Sequence, residues 1–433
     1  MNFFNISACV YGGILLFCLL MYTYKIHFWK YAKRKQKPFD KAEQNKKYAI
    51  LVPARDESLV ISGLLDSIEK NSYNQDNLHT FVMVSDENDP TIEICKKYKN
   101  VTCWCISRPT KCKGDVLDQL IGKIYSEGNR FDGYFIFDAD NVLKPDFIEL
   151  MHNCLSSGYD LVLGARLNKT PSANWVNCGS TLTWTYLNTL TNKCRCANGQ
   201  NINIQGSPIL VGKSIIEDYF GGNWPLTSLT EDVELTYICD LNNFRTYYLE
   251  DAYAYDEQPH TYSQSVCQRL RWIKGHNSVN VQYKPTLSKT KCKYLSGIYK
   301  YDKICALWPP ILALASTLLF SLYSGISTIV LATWGDPLWL YTLAGFLATF
   351  VGSYFLLCIW TLLALWADKD KLELNFWQRL KAFFVVPFFY ASYLPLYIRS
   401  LFVKNVTWKK VEHDQSIGEN KDVHLLDKLI KDK

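Results

Sequence analysis

The chain has 433 residues, 48% hydrophobic, 15% aromatic and 20% charged, with 47 Lys and Arg against 41 Asp and Glu. That apolar share excludes a disordered chain, which cannot offset its ordering entropy, while a mean hydropathy of −0.08 is too polar for a protein embedded in a bilayer throughout. The formal charge of +6 is too slight to imply a nucleic-acid partner, and the length allows roughly two to three domain-sized units.

Residues 1–24 carry no charge and contain the run Ile14-Leu15-Leu16-Phe17-Cys18-Leu19-Leu20. A stretch of this length crosses a hydrocarbon core about 30 Å thick. No positive region precedes it and no small-residue cleavage site follows, so it reads as a signal anchor and not a cleaved leader. Nine Lys or Arg against two acids then lie between Lys25 and Lys47. The positive-inside bias places that side in the cytoplasm and the N-terminus outside. We divide the chain into a membrane helix over 1–25, a basic linker over 26–47 and a globular domain over 48–285. A basic interfacial segment over 286–303, a membrane part over 304–401 and a tail over 402–433 follow.

In the globular part, Tyr48–Pro53, Phe81–Val84, Val101–Ile106, Tyr134–Phe137 and Leu161–Leu163 read as short apolar strands. Helical stretches at 58–69, 91–99, 115–126 and 146–156 separate them. Strands alternating with helices predict an α/β fold built on a parallel, doubly wound sheet, with its ligand at the carboxyl ends of the strands. Acidic clusters fall at those ends: Asp56 and Glu57 after the first strand, Asp86 and Glu87 after the second, and Asp138 and Asp140 after the fourth. Such charges repel one another unless a cation or ligand neutralises them. A single Asp there is commonly only a helix N-cap. Two carboxylates one residue apart share a hard cation, Mg²⁺ or Mn²⁺, whose other ligands are usually substrate phosphates.

Two uncharged runs, 304–335 and 337–367, are joined at Gly335-Asp336-Pro337 and predict a membrane hairpin. Their lack of internal charge argues against an ion-driven transporter. The shorter run 382–398 is interrupted by Pro387 and Pro395, and we read it as interfacial or re-entrant. A third full crossing would put the tail on the opposite side from the globular domain. The 15 cysteines are odd in number and show no regular framework. One residue between Cys103 and Cys105, or between Cys194 and Cys196, is tight for a structural zinc, and reduced thiols are the simpler reading.

Asp86, Asp138-Ala139-Asp140, Thr230-Glu231-Asp232 and Gln268-Arg269-Leu270-Arg271-Trp272 together resemble, in order and spacing, the D, DxD, TED and QxxRW series of inverting family 2 glycosyltransferases. The cellulose, chitin and hyaluronan synthases are the similar membrane-bound group. Lys111–Asp118 looks like the family's KGKAGALN segment, with Asp in place of Gly and of Asn. The resemblance spans roughly residues 48–335. It implies a Rossmann-like GT-A domain inserted between transmembrane helices, one N-terminal and two to three C-terminal. The implied donor site comprises Pro53, Ala54, Arg55, Glu57, Asp86, Lys113, Asp138, Gln268 and Arg271, with Asp138 and Asp140 holding Mg²⁺ or Mn²⁺. Arg55-Asp56 stands where many members have Tyr-Asn. The implied catalytic base is Asp232, and Glu231, Gly206, Ser207 and Trp272 lie on the acceptor side. Arg269 offers a second guanidinium for the diphosphate. Val406-Thr407-Trp408-Lys409 resembles the core of the loop that covers the active site in cellulose synthases, which makes Thr407 and Lys409 candidate gating residues.

The function expected is a processive, inverting transferase of the cell membrane, multi-pass, with its catalytic domain cytoplasmic. It would build and translocate a β-linked polysaccharide from UDP-glucose or UDP-N-acetylglucosamine onto a growing glycan. So few helices make a narrow channel, which a homodimer would complete. The alternative is one sugar added to a lipid or glycan acceptor.

Overall fold

The computed structural model describes residues 2–43, 46–172, 174–305, 308–368 and 371–403, together with Leu425, Asp427 and Leu429. The strands are β1 (Tyr48–Pro53), β2 (Leu78–Val84), β3 (Val101–Cys105), β4 (Gly133–Ile136), β5 (Val142–Leu143), β6 (Leu161–Asn168), β7 (Ile209–Gly212) and β8 (Thr246–Asp256). They form one sheet in the order β3-β2-β1-β4-β7-β6-β8-β5.

The parallel half, β3-β2-β1-β4, matches the sequence expectation. A strand buried on both faces reads as an unbroken apolar run, and β1 is one. Its Tyr48, Ile50 and Val52 enter one core, with Leu64, Ile68, Phe147 and Met151 from helices Ile61–Glu69 and Phe147–Ser156. Ala49 and Leu51 enter the opposite core, with Val116, Leu120 and Ile124 of helix Lys113–Ser126. Each such fully buried aliphatic side chain is worth about 1.5–3 kcal/mol, so the two-sided burial fixes this half firmly.

The other half departs from a doubly wound sheet. β7 runs antiparallel to both β4 and β6, β8 runs parallel to β6, and β5 closes the edge antiparallel to β8. β7 and β5 are four and two residues long, too short to carry a legible period. They pair where the neighbouring strands leave unpaired backbone groups.

Among the described residues, four stretches are long and apolar enough to cross a membrane: Phe4–Met21, Ala315–Thr333, Trp339–Ala367 and Phe376–Phe402. Helix Asn2–Tyr22 packs on helix Trp308–Thr333 through Tyr11, whose ring stacks on Phe320 at 4.7 Å. Helix Trp339–Ala367 returns from the hairpin turn, where Asp336 Oδ1 accepts from the amide of Leu338.

The fourth stretch is two helices, Phe376–Ala391 and Tyr393–Phe402, broken at Ser392. Pro395 has no N–H to reach back to residue 391, which accounts for the break. At one end Gln378 donates to Ser172 at 3.0 Å. At the other, Tyr397 donates to Asn277 at 3.0 Å and Lys274 donates to the carbonyl of Val403. Ala382 and Val386 pack on Cys178 and Leu182 of helix Trp175–Thr185, while Phe376, Leu380, Phe384 and Phe388, four residues apart, stay exposed. Both ends thus rest on the globular domain.

The basic stretch from Lys25 through the linker is not a free solvated segment. Lys25 is buried, with its Nζ 2.6 Å from Asp302, and the Gln36 side chain donates to the carbonyl of Tyr248 at 2.8 Å. Leu425 and Leu429 of the tail pack near Val142 and Tyr255 at the β5–β8 edge. Thr407 and Lys409 lie outside the described residues. All fifteen cysteines are free thiols.

Candidate active site

Because β1, β2 and β4 are parallel, the turns after them share one edge. There Pro53, Ala54, Arg55 and Glu57 follow β1, Asp86 follows β2, and Asp138 and Asp140 follow β4. Ala54 continues the ladder through its amide to Met83 at 2.9 Å. Asp56 takes a left-handed φ of 54°, and its amide donates to Asp89 at 2.9 Å. The first two turns are therefore tied together through Asp89. Asp86 accepts from the Asn88 amide at 2.7 Å and is exposed.

Lys113 opens helix Lys113–Ser126, and its Nζ donates to Asp138 Oδ1 at 2.5 Å. The other oxygen of Asp138 accepts from Ser207 Oγ at 2.8 Å and lies 3.5 Å from Arg166 Nη2. Burial opposes the charge of Asp138, but Lys113 and Arg166 outweigh it and hold the carboxyl well below its usual range. Burial likewise opposes the charge of Lys113, and Asp138 with Glu231 more than restores it. Asp140 accepts from the amide of Glu257 at 3.0 Å.

Gly206 joins this cluster to the TED segment. It has φ 71°, and a Cβ there would fall 2.9 Å from Arg166 Nη2 and 3.9 Å from Asp232 Oδ2, so only glycine lets this loop pass between the two. Glu231 and Asp232 open helix Glu231–Leu241 with Thr230 at its N-cap, a favourable end for acids. Burial, then the charge of Asp232, pushes Glu231 up to about 7, with Lys113 and Arg271 acting against the shift.

Gln268, Arg271, Trp272 and His276 ride on helix Tyr262–Lys289. Its backbone at Gly275 sits so close to Thr230 that a Cβ would fall 2.5 Å from Thr230 Cγ2. Arg271 Nη1 reaches the carbonyl of Leu229 at 3.4 Å, and Gln268 lies one turn earlier. Trp272 meets Trp184 edge to face at 5.7 Å. His276 feels Asp232: burial lowers its pKa, and the Asp232 charge opposes that. Arg269 does not join the site. It is buried beneath the Phe376–Phe402 segment, bonded to Ser392 at 2.8 Å, and cannot reach a diphosphate at the strand ends.

The sequence reading missed four residues here. Arg166, Trp184, Asp256 and His276 match none of the four motifs. One signal was available: Arg166 is a lone cation inside the apolar strand Leu161–Asn168. Asp256 is pushed up to about 7 by burial, with Arg166 opposing and Asp140 and Asp138 adding to the rise. Among the described residues its Oδ1 and the Thr230 hydroxyl are buried without a hydrogen-bond partner.

In charge, the five carboxylates Asp138, Asp140, Asp256, Glu231 and Asp232 face three cations, Lys113, Arg166 and Arg271. That deficit is the kind a divalent ion corrects. Among the described residues, however, no group of three His, Cys, Asp or Glu side chains could by itself hold a metal. The residues therefore fit an ion only in company with ligands from a bound phosphate.

Residues 45–275, more than half of the chain, match the family described as Glycosyltransferase like family 2. The probable glycosyltransferase YdaM of Bacillus subtilis is 24% identical over 302 residues, which cover 67% of this chain and 70% of that protein. Among solved structures, the mannosyltransferase PcManGT from Pyrobaculum calidifontis, in complex with GDP-Man and Mn2+, superposes with a TM-score of 0.55 at 14% identity. That alignment covers 78% of this chain and 99% of the mannosyltransferase.

Proposed function

The chain belongs to glycosyltransferase like family 2 and has a GT-A-like fold, and from that premise we propose an inverting transfer from a UDP-sugar to a glycan at the membrane surface. One observation carries the proposal: Asp138 and Asp232, 94 positions apart in the sequence, come to one cluster, Asp138 3.5 Å from Arg166 and Asp232 beside Gly206, which itself lies against Arg166. An inverting displacement needs that arrangement. An acceptor hydroxyl attacks the anomeric carbon while the bond to the diphosphate breaks on the opposite face. A carboxylate on the acceptor side must take the hydroxyl proton as the new bond forms, and Asp232 is that base.

In this reading the donor lies along the edge formed by Pro53, Ala54, Arg55, Glu57 and Asp86, with Lys113, Gln268 and Arg271 toward its phosphates. Asp138 and Asp140 would hold Mg²⁺ or Mn²⁺ together with the diphosphate. The ion supplies Lewis-acid stabilisation of the departing charge. Lys113 already compensates Asp138, so Asp140 carries the larger share of the ion. Trp272 gives the acceptor ring an apolar face, with Glu231, Gly206 and Ser207 around it.

Repeated addition of one sugar type into a β-linked polymer, passed along the hairpin, is the reading we favour for the product. The Phe376–Phe402 segment rests on the globular domain at both ends, and its exposed stripe suits a bilayer surface. We place it in the interface, with the tail on the catalytic side, which we take to be cytoplasmic. The test is purified protein in detergent with Mg²⁺ or Mn²⁺ and a panel of UDP-glucose, UDP-N-acetylglucosamine and GDP-mannose. Nucleoside diphosphate release with a polymer ladder is expected. A single addition would replace the processive reading, and no release from any donor would overturn the proposal.

A further inference from the structure

We propose that Arg166 is a positioning residue that locks the donor side of the site to the acceptor side; this rests on the reaction proposed above. Its side chain is 11% exposed, and its guanidinium touches four separate parts of the chain. Nε and Nη2 both donate to the Ser207 carbonyl, at 2.9 and 2.5 Å. Nη2 lies 3.5 Å from Asp138 Oδ2, and Nε lies 3.3 Å from Asp256 Oδ2. The plane covers the Trp184 ring at 4.5 Å, and Trp184 in turn meets Trp272.

Each contact has its own consequence. The single hydroxyl hydrogen of Ser207 faces both Asp138 Oδ2 and Asn141 Oδ1, each 2.8 Å from Oγ, which ties the Ser207 loop to the turn after β4. Gly206, the residue before, lies against both Arg166 and Asp232. The spacing between the carboxylate that faces the donor and the carboxylate that takes the proton is therefore set through one side chain. Trp184, held by the same guanidinium and by its own indole N–H to Gln258 at 3.2 Å, carries that spacing to the Trp272 wall. A lysine could keep the positive charge but not the fork or the stack. Lys113 independently neutralises Asp138, so donor binding depends less on Arg166 than alignment does.

The test compares wild type with Arg166→Lys and Arg166→Ala, measuring kcat and donor KM by diphosphate release, UDP binding by calorimetry, and Tm. For Arg166→Lys, UDP affinity and donor KM should stay within about threefold while kcat falls about 50-fold, as expected of a misaligned near-attack geometry. For Arg166→Ala, millimolar guanidinium should restore part of the lost kcat, and methylammonium should not. Full kcat in Arg166→Lys would overturn the proposal. So would kcat and UDP affinity falling together in step with Tm, which marks a merely structural side chain. If wild type releases no diphosphate from any nucleotide sugar while still binding UDP, the proposed reaction itself has failed, and this role with it.

Discussion

Two charge clusters, one buried at the junction with the first membrane helix and one half-buried at the strand ends, are composed differently. At the junction with the first membrane helix, Asp302 meets Lys25 and Arg195, each at 2.6 Å, and accepts from Tyr24. Burial alone would raise its carboxyl, but Arg195 and Lys25 prevail and hold it at about 2. Nearby Lys303 pairs with Asp240 at 2.5 Å. Three cations face two acids there, and each charge has its partner within the chain. At the strand ends the acids outnumber the cations, and two of them, Glu231 and Asp256, are pushed up to about 7. A cluster that only holds the fold pairs its charges within the chain, whereas a cluster built for a ligand leaves acids for the ligand to complete.

The sharpest way to break this comparison is Asp232→Asn. We expect kcat to fall roughly 1,000-fold, the loss of a general base, with UDP binding by calorimetry unchanged within a few-fold. Asp140→Ala should cost about 100-fold in turnover and abolish any Mn²⁺ dependence of UDP binding; binding that still responds to Mn²⁺ would remove Asp140 from the ion. Asp302→Ala attacks the paired cluster and leaves Lys25 and Arg195 buried without their acid. It should cost about 3–5 kcal/mol of stability, read as a lower Tm in detergent, with donor KM of the folded fraction intact.

The smallest effect concerns pH and has opposite sign in the two clusters. Glu231 has a folded value near 7 against an ordinary 4.5. The folded state therefore holds its proton more tightly, and stability of the ligand-free protein should fall as pH rises from about 4.5 through 7. Asp302, at about 2 against an ordinary 3.8, contributes fully above about 4, and that contribution is lost as pH falls through 2. Glu231→Gln should reduce the first slope to the share that Asp256, also near 7, contributes, and leave the second, with a change of about twofold in kcat/KM at pH 7. Thermal melts between pH 2 and 8 read both slopes, and a neutral slope left unchanged in Glu231→Gln would refute the assignment.

The parallel half of the sheet was legible because strands buried on both faces need continuous apolar runs, as in Tyr48–Val52, and because Gly335-Asp336-Pro337 punctuates the hairpin. The motif residues stood out as local patterns: Asp138 and Asp140 after a strand, Glu231 and Asp232 at a helix start, and Trp272 within a helix. Arg166 and Trp184 were not, since each earns its role from residues 41 and 88 positions away, Ser207 and Trp272. Arg269 shows the converse: it sits inside a legible motif, yet its helix face turns it under the Phe376–Phe402 segment.

The sequence by itself determined which segments are apolar enough for a bilayer, which strands are buried on both sides, and where acids gather. These depend on neighbours along the chain, and hydrophobic periodicity records them. Only the tertiary structure decided that Lys25 is buried against Asp302, that the antiparallel β7 completes the sheet beside β4, and that one guanidinium joins Asp138, Ser207, Asp256 and Trp184. Those are contacts between distant segments, made once the helices and strands have packed, and no local pattern encodes which partner a side chain will meet.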